Sequence, residues 1–152
     1  MIGLWRLAYW ASFGAALAVV LAGGVYAGFA YALQAAPFRG APFDPARWQA
    51  VWRCDGLDGA ACTLRRADCP RGPMVADLVG RHLAPGGLDR ARVRAMIGPP
   101  DVQGPLALHG IHQPDCDEVL LGMCSGFGID WDTLAVCYDR QGHIAATGHV
   151  QH

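Results

Sequence analysis

Residues 7–38 contain no Asp, Glu, Lys, Arg or His, and no other feature limits the fold as strongly. The part from 7 to 33 is Ala, Leu, Val, Gly, Phe, Tyr and Trp with a single Ser. A helix of about 20 apolar residues crosses the hydrocarbon core of a bilayer, and this run is longer. The rest of the chain is expected to be a small domain held at a membrane surface. Of the 152 residues, about 35 belong to the apolar segment, which leaves enough for one domain with one core.

A cleaved signal peptide starts from the same residues. Its apolar region is about 7–15 residues, followed by small residues at the cut, and Ala30-Tyr31-Ala32 supplies an A-x-A site. The run here is about twice too long for that, and the reading adopted is a retained anchor. Trp5, Tyr9 and Trp10 at one end and Tyr26 and Tyr31 at the other are placed as an interfacial aromatic belt. Ala11, Gly14, Ala15, Ala18, Ala22 and Gly23 give the helix small-residue faces. Such faces suit packing against another membrane helix, or are plain Ala-rich filler. A lipid anchor is not expected, because the first cysteine is Cys54 and no lipobox precedes it.

The formal net charge is -1 and every basic residue is Arg, scattered along the chain. No electrostatic case for nucleic acid exists. The six cysteines, Cys54, Cys62, Cys69, Cys116, Cys124 and Cys137, all come after the apolar segment. An even number in a small tethered domain points to disulfides and an oxidising compartment. Spacings of C-x7-C, C-x6-C and C-x7-C lack the tight pairs of zinc sites, and there is no CxxC or CxxCH. Arg6 before the helix and Arg39, Arg47 and Asp44 after it leave the orientation open on charge alone. The cysteines decide it: N-terminus inside, domain outside the cytoplasm. That corresponds to a single-pass protein of the bacterial inner membrane with a periplasmic C-terminal domain.

Residues 37–45 read as a Pro/Gly/Phe linker. Residues 45–52 suit a short helix capped by Asp44, with Pro45 in its first turn. Trp48 and Trp52 share a face, to pack on the domain or lie among headgroups. No period holds through 54–73, which reads as an irregular, disulfide-tied loop. Residues 73–83 have helical spacing with Met74, Leu78 and Leu83 on one side. Pro85-Gly86-Gly87 breaks that helix. Asp89 caps a second one over 90–97, with Val93, Met96 and Ile97 as its buried stripe and Leu88 as staple. Gly98 ends it before Pro99-Pro100. Strands are expected at 106–108, 119–123, 134–138 and 144–150, with Asp139-Arg140-Gln141-Gly142 as a tight hairpin. The fold class is therefore α+β: a single N-terminal transmembrane helix, then two helices on a three- or four-stranded antiparallel sheet, tied by disulfides. The division is 1–36 anchor, 37–72 linker and Cys-containing loop, and 73–152 helix-helix-sheet domain.

The stretch from about 74 to 150 resembles the SmpA/OmlA-type domain of BamE-like envelope lipoproteins, without the lipobox. The likeness rests on Asp77-Leu78, on the turn and helix from Leu83-Ala84-Pro85-Gly86-Gly87-Leu88-Asp89 to Ile97-Gly98-Pro99-Pro100-Asp101, on Leu120-Leu121-Gly122, and on residues 130–139 with Gln141-Gly142-His143-Ile144. It implies two helices against a three-stranded antiparallel sheet and a non-catalytic role in protein contacts within the envelope. The helical anchor and the cysteines are not part of the family pattern.

Three cysteines precede the helices and three lie among the strands, so full oxidation requires at least one bridge between the groups. Such a bridge closes some 50 residues or more and stabilises by a few kcal/mol. Cys116 with Cys124 is a poor pair: an extended 117–123 sets them roughly 20–26 Å apart, against the ~7 Å limit for bridged Cα atoms.

Few residues carry chemistry. His109, His112 and Cys116 form H-x2-H-x3-C, a set able to ligate zinc or copper from a loop. The simpler reading is exposed loop residues with Cys116 in a disulfide. His143, His149 and His152 are comparable, and surface histidines suffice. Asp130 and Asp132 flank Trp131; paired carboxylates serve as acid and base, but an Asx turn at Asp130 needs no catalysis. Ser125 is not in a G-x-S-x-G elbow, and Gly126 and Gly128 open no helix as a phosphate loop does. The leading expectation is an accessory protein that binds the membrane through 7–33 and docks to a protein of a larger envelope or membrane assembly, with no enzyme activity and no cofactor. The alternatives are a metal-binding module built on His109, His112 and Cys116, and a thiol redox protein, which needs free, low-pKa thiols.

Overall fold

The computed structural model describes residues 2–108 and 110–152, with side chains from residue 9 onward. Helix α1 (Ile2–Gln34) takes up the apolar run. Its stretch Tyr9–Gln34 is 26 residues, about 39 Å at 1.5 Å per residue, long and apolar enough to cross a membrane. Every side chain from 9 to 29 is exposed, so the helix buries nothing along this length against its own domain. Trp5 lies outside the described side chains.

The chain leaves α1 through a 3-10 turn, Ala36–Phe38. Phe38 is already a core residue. Helix α2 (Pro45–Ala50) starts at Asp44, whose side chain accepts from Arg47 N at 2.6 Å. It delivers Trp48, fully buried, into the core, where the indole Nε1 donates to Ile97 O at 2.9 Å. Segment 37–72 thus packs into the same core as 73–152. Residues expected as irregular hold helix α3 (Gly59–Ala67), capped by Asp58 accepting from Ala61 N at 2.7 Å. The signal was local: an Asp cap ahead of a short run without Pro or interior Gly.

After a 3-10 turn at Gly72–Met74 come α4 (Val75–His82) and α5 (Arg90–Ile97). Asp89 caps α5 through Arg92 N at 2.9 Å, and Gly98 with φ 94 ends it. Met74, Leu78, Leu83, Val93 and Ile97 face Val119, Leu121, Leu134, Val136 and Ile144 of the sheet in one cluster.

The sheet is an antiparallel meander in the order β1 (Val102–Leu108), β2 (Ile111–Gly122), β3 (Asp132–Tyr138), β4 (Ile144–Gln151). The class is α+β, with four strands and four helices beyond α1 among the described residues. Strands β1 and β2 are longer than hydrophobicity alone indicated. Their outer halves pair only with each other, carry Pro105 and Pro114, and shift register between Gly104 and Leu106. That bulge bends the hairpin, and Leu108 comes down on Gly148 of β4, where an added Cβ would lie 2.9 Å from the leucine Cδ2. The β3–β4 turn is as expected: Asp139 accepts from Gln141 N and His143 N at 2.9 and 3.0 Å, and Gly142 has φ 82.

All six cysteines are paired. Cys54–Cys62 is local to α3, Cys69–Cys124 joins the helical half to the sheet, and Cys116–Cys137 bridges β2 and β3. One bridge thus links the two groups of three, and Cys116 does not pair with Cys124.

Candidate functional site

A buried polar cluster lies where the chain leaving α1 meets the sheet. Asp132 opens β3 and is fully buried. Its Oδ2 accepts from the backbone N–H of Cys124 at 2.6 Å and of Ser125 at 2.7 Å. Its Oδ1 accepts from Ser125 Oγ at 2.6 Å and bonds His149 Nε2. Burial alone would raise the Asp132 pKa. The hydrogen bonds from Ser125, His149 and Cys124 outweigh it and hold the carboxyl below its ordinary value. The His149 ring packs against Phe38 at a tilt of 43°, with centroids 4.4 Å apart.

Thr133, the next residue, points to the opposite face. Its Oγ1 donates to Glu118 Oε2 at 2.7 Å, and His152 Nε2 bonds the same oxygen at 2.7 Å. The two carboxylates thereby fasten both ends of the 123–131 loop and the end of β4. Neither cluster has the geometry of acyl transfer. A serine nucleophile needs its hydroxyl on an imidazole base, and buried Ser125 donates to the carboxylate instead. Asp130 and Asp132 form no acid–base pair: Asp130 is exposed, on Gln151 Nε2 at 3.5 Å, while Asp132 is interior. The turn-organising residue is Asp132, not Asp130, which sequence reasoning missed. Its partners lie seven and eight residues upstream, beyond the reach of a local turn pattern.

The H-x2-H-x3-C set lacks its sulfur ligand. Cys116 is bonded to Cys137 and offers no thiolate. His112 lies exposed in the outer half of β2, and His109 lies outside the described residues. His149 and His152 engage different carboxylates, and His143 sits at the hairpin, bridged to Asp89 through its backbone. No group of three metal-ligating side chains occurs among the described residues. No cysteine there is free to act as a redox thiol.

A second cluster centres on Arg71, whose guanidinium lies between the rings of Trp48 and Trp52 at 4.9 and 4.4 Å. The tryptophans share a face as expected and pack on the domain. Arg71 Nε donates to Trp48 O at 3.4 Å and Nη1 to Leu120 O at 3.1 Å. Burial pushes its pKa down to about 10, with Asp101 opposing and Arg66 assisting. The group therefore stays charged at neutral pH. Arg71 also lines a cavity of about 260 Å³, together with Gln49, Trp52, Ile97, Gly98 and Asp101. That is below the usual ~300–1,000 Å³ of ligand pockets. With two donors already on backbone carbonyls, Arg71 serves to join α2 to β2.

The third feature is apolar. Gly126 N donates to Leu33 O at 2.9 Å. The α-helical partner of that carbonyl would be the N–H of residue 37, which is proline and has none. The loop thus caps the exit end of α1. Phe127 and Ile129, on either side of Gly128, are 77% and 72% exposed.

Comparison with protein-family models, with curated proteins and with solved structures finds no match to this chain.

Proposed function

We propose that this protein is a single-span, non-catalytic accessory module. In this reading α1 stays in the inner membrane, the disulfide-tied domain stands on the periplasmic side, and the domain docks a protein of a larger envelope assembly. The observation that carries the reading is the pairing of a 26-residue apolar span, exposed along its length, with a domain closed by three disulfides. Exposed apolar surface on that scale needs lipid or protein around it, and disulfides persist on the oxidising side of a membrane. The buried Asp132 carboxylate is engaged by four hydrogen-bonding partners and the Arg71 guanidinium is anchored on two backbone carbonyls and two indole rings, all inside the domain, which favours shape over reactivity. The order α4, α5, then antiparallel strands supports a likeness to SmpA/OmlA-type domains in fold.

Crosslinking in native membranes, followed by identification of the adduct, tests the docking. A defined protein adduct is expected. Recovery from mild detergent as a lone monomer, with no adduct in membranes, would overturn it. A C-terminal reporter tests the sidedness: alkaline phosphatase is expected to be active there, and a green fluorescent reporter bright in the same position would overturn the orientation.

A further inference from the structure

We propose that the 126–129 loop is a second membrane contact, with Phe127 and Ile129 inserted at the headgroup–hydrocarbon boundary beside the exit of α1. The proposal rests on the reading of α1 as a span.

Position is the first argument. Leu33 lies one residue from the end of the apolar span Tyr9–Gln34, two residues beyond the exposed Tyr31. The first charge after the span is Arg39. The Leu33 carbonyl is therefore at the level where hydrocarbon gives way to headgroups. The Gly126 N–H lies 2.9 Å from that carbonyl. Phe127 begins one Cα step, about 3.8 Å, further along the chain.

Chemistry is the second. From Val119 to Ile129 the chain carries no charged side chain; Asp130 is the first. Gly126, Phe127, Gly128 and Ile129 thus offer an aromatic and a β-branched aliphatic group with no charge between them to desolvate. Gly126 and Gly128 have φ values of 62 and 66, so the two large residues stand out from a tight, glycine-built turn.

Rigidity is the third. The base of the loop is held by the Cys69–Cys124 disulfide, by Asp132 accepting from both Cys124 and Ser125, and by Gly128 N donating to Ser125 O at 3.2 Å. The exposed pair is thus a fixed projection, and a loop ordered beforehand loses little entropy on meeting the bilayer. The occupant is lipid because the loop is continuous with the apolar helix through the Leu33–Gly126 bond.

Photocrosslinking of the full chain tests this. Benzoyl-phenylalanine is placed, one site at a time, at Phe127, at Leu17 within α1, and at Gln141 on the β3–β4 hairpin. Each protein is reconstituted into nanodiscs of phosphatidylethanolamine and phosphatidylglycerol, and adducts are read by mass spectrometry. Lipid adducts at 17 and 127 with none at 141 are expected. Adducts at 17 but not at 127 overturn the loop contact and leave the anchor standing. No adduct at 17 overturns the anchor and the proposal with it. Equal labelling at 127 and 141 also overturns it, since the contact would not belong to this loop. In native membranes, a protein adduct at 127 in place of lipid would assign the pair to a protein partner and refute the proposal.

Discussion

Replacing Cys69 and Cys124 together with alanine removes the one covalent link between the helical half and the sheet. The bridge spans 55 positions and Cys54–Cys62 spans 8. Loop-closure entropy gives about 4 kcal/mol for the long bridge and about 2.5 kcal/mol for the short one at 25 °C. Cys69 also has φ 50, a left-handed conformation that costs a non-glycine residue about 1 kcal/mol. The pair C69G/C124A is therefore expected to be about 1 kcal/mol more stable than C69A/C124A. For a domain of this size each kcal/mol moves Tm by roughly 4 °C, so the long-bridge variant should melt roughly 12–20 °C lower and C54A/C62A roughly 8–12 °C lower. The assay is thermal unfolding of the full chain in mild detergent, followed by near-ultraviolet circular dichroism so that the signal comes from domain packing. Equal losses for the two bridges would refute the entropic argument. A C69G/C124A protein less stable than C69A/C124A would refute the strain at Cys69.

Asp132→Asn turns one acceptor oxygen into a donor facing N–H groups, and is expected to cost about 2–3 kcal/mol in denaturant unfolding. Because the Asp132 pKa is lowered in the fold, its contribution is present above the ordinary carboxylate value of about 3.9 and is lost as pH falls through the folded value; the wild-type protein should lose more stability than D132N over that acid range. Trp48→Ala removes a fully buried indole, its bond to Ile97 and its stacking on Arg71, for about 3–5 kcal/mol by guanidinium titration. Gly122→Ala puts a Cβ 2.6 Å from Cys69 Cα at φ 122; the expected outcome is destabilisation by about 2 kcal/mol or more and incomplete Cys69–Cys124 closure by thiol counting.

The elements legible in the sequence were those whose signals are local. Asp89 before a helical stripe and Gly98 after it set α5, and Asp139 to Gly142 set the hairpin. The apolar run set α1, and cysteine parity required one long bridge. The hidden features depend on distant partners. Nothing near Asp132 in the chain says that it will accept from Cys124 and Ser125. Nothing near Gly126 says that it will replace the N–H missing at Pro37. Residues 102–105 of β1 and 111–115 of β2 lack hydrophobic alternation because their side chains are mostly exposed, so their pairing is backbone-driven and leaves little trace in side-chain pattern. Arg71 belongs to the stretch 54–73 in which no period holds, and only the fold sets it between two tryptophans.

The early burial of Phe38 has a mechanical consequence. Three residues separate the end of α1 at Gln34 from Phe38 in the hydrophobic core, a leash of four steps, about 8 Å at 2 Å per residue. A leash that short, together with the Gly126–Leu33 bond, couples the domain to the helix, so that a turn or tilt of the helix carries the domain as a shank carries a key. If α1 is the span proposed above, a partner would meet this domain close to the lipid surface, in an orientation set by the helix.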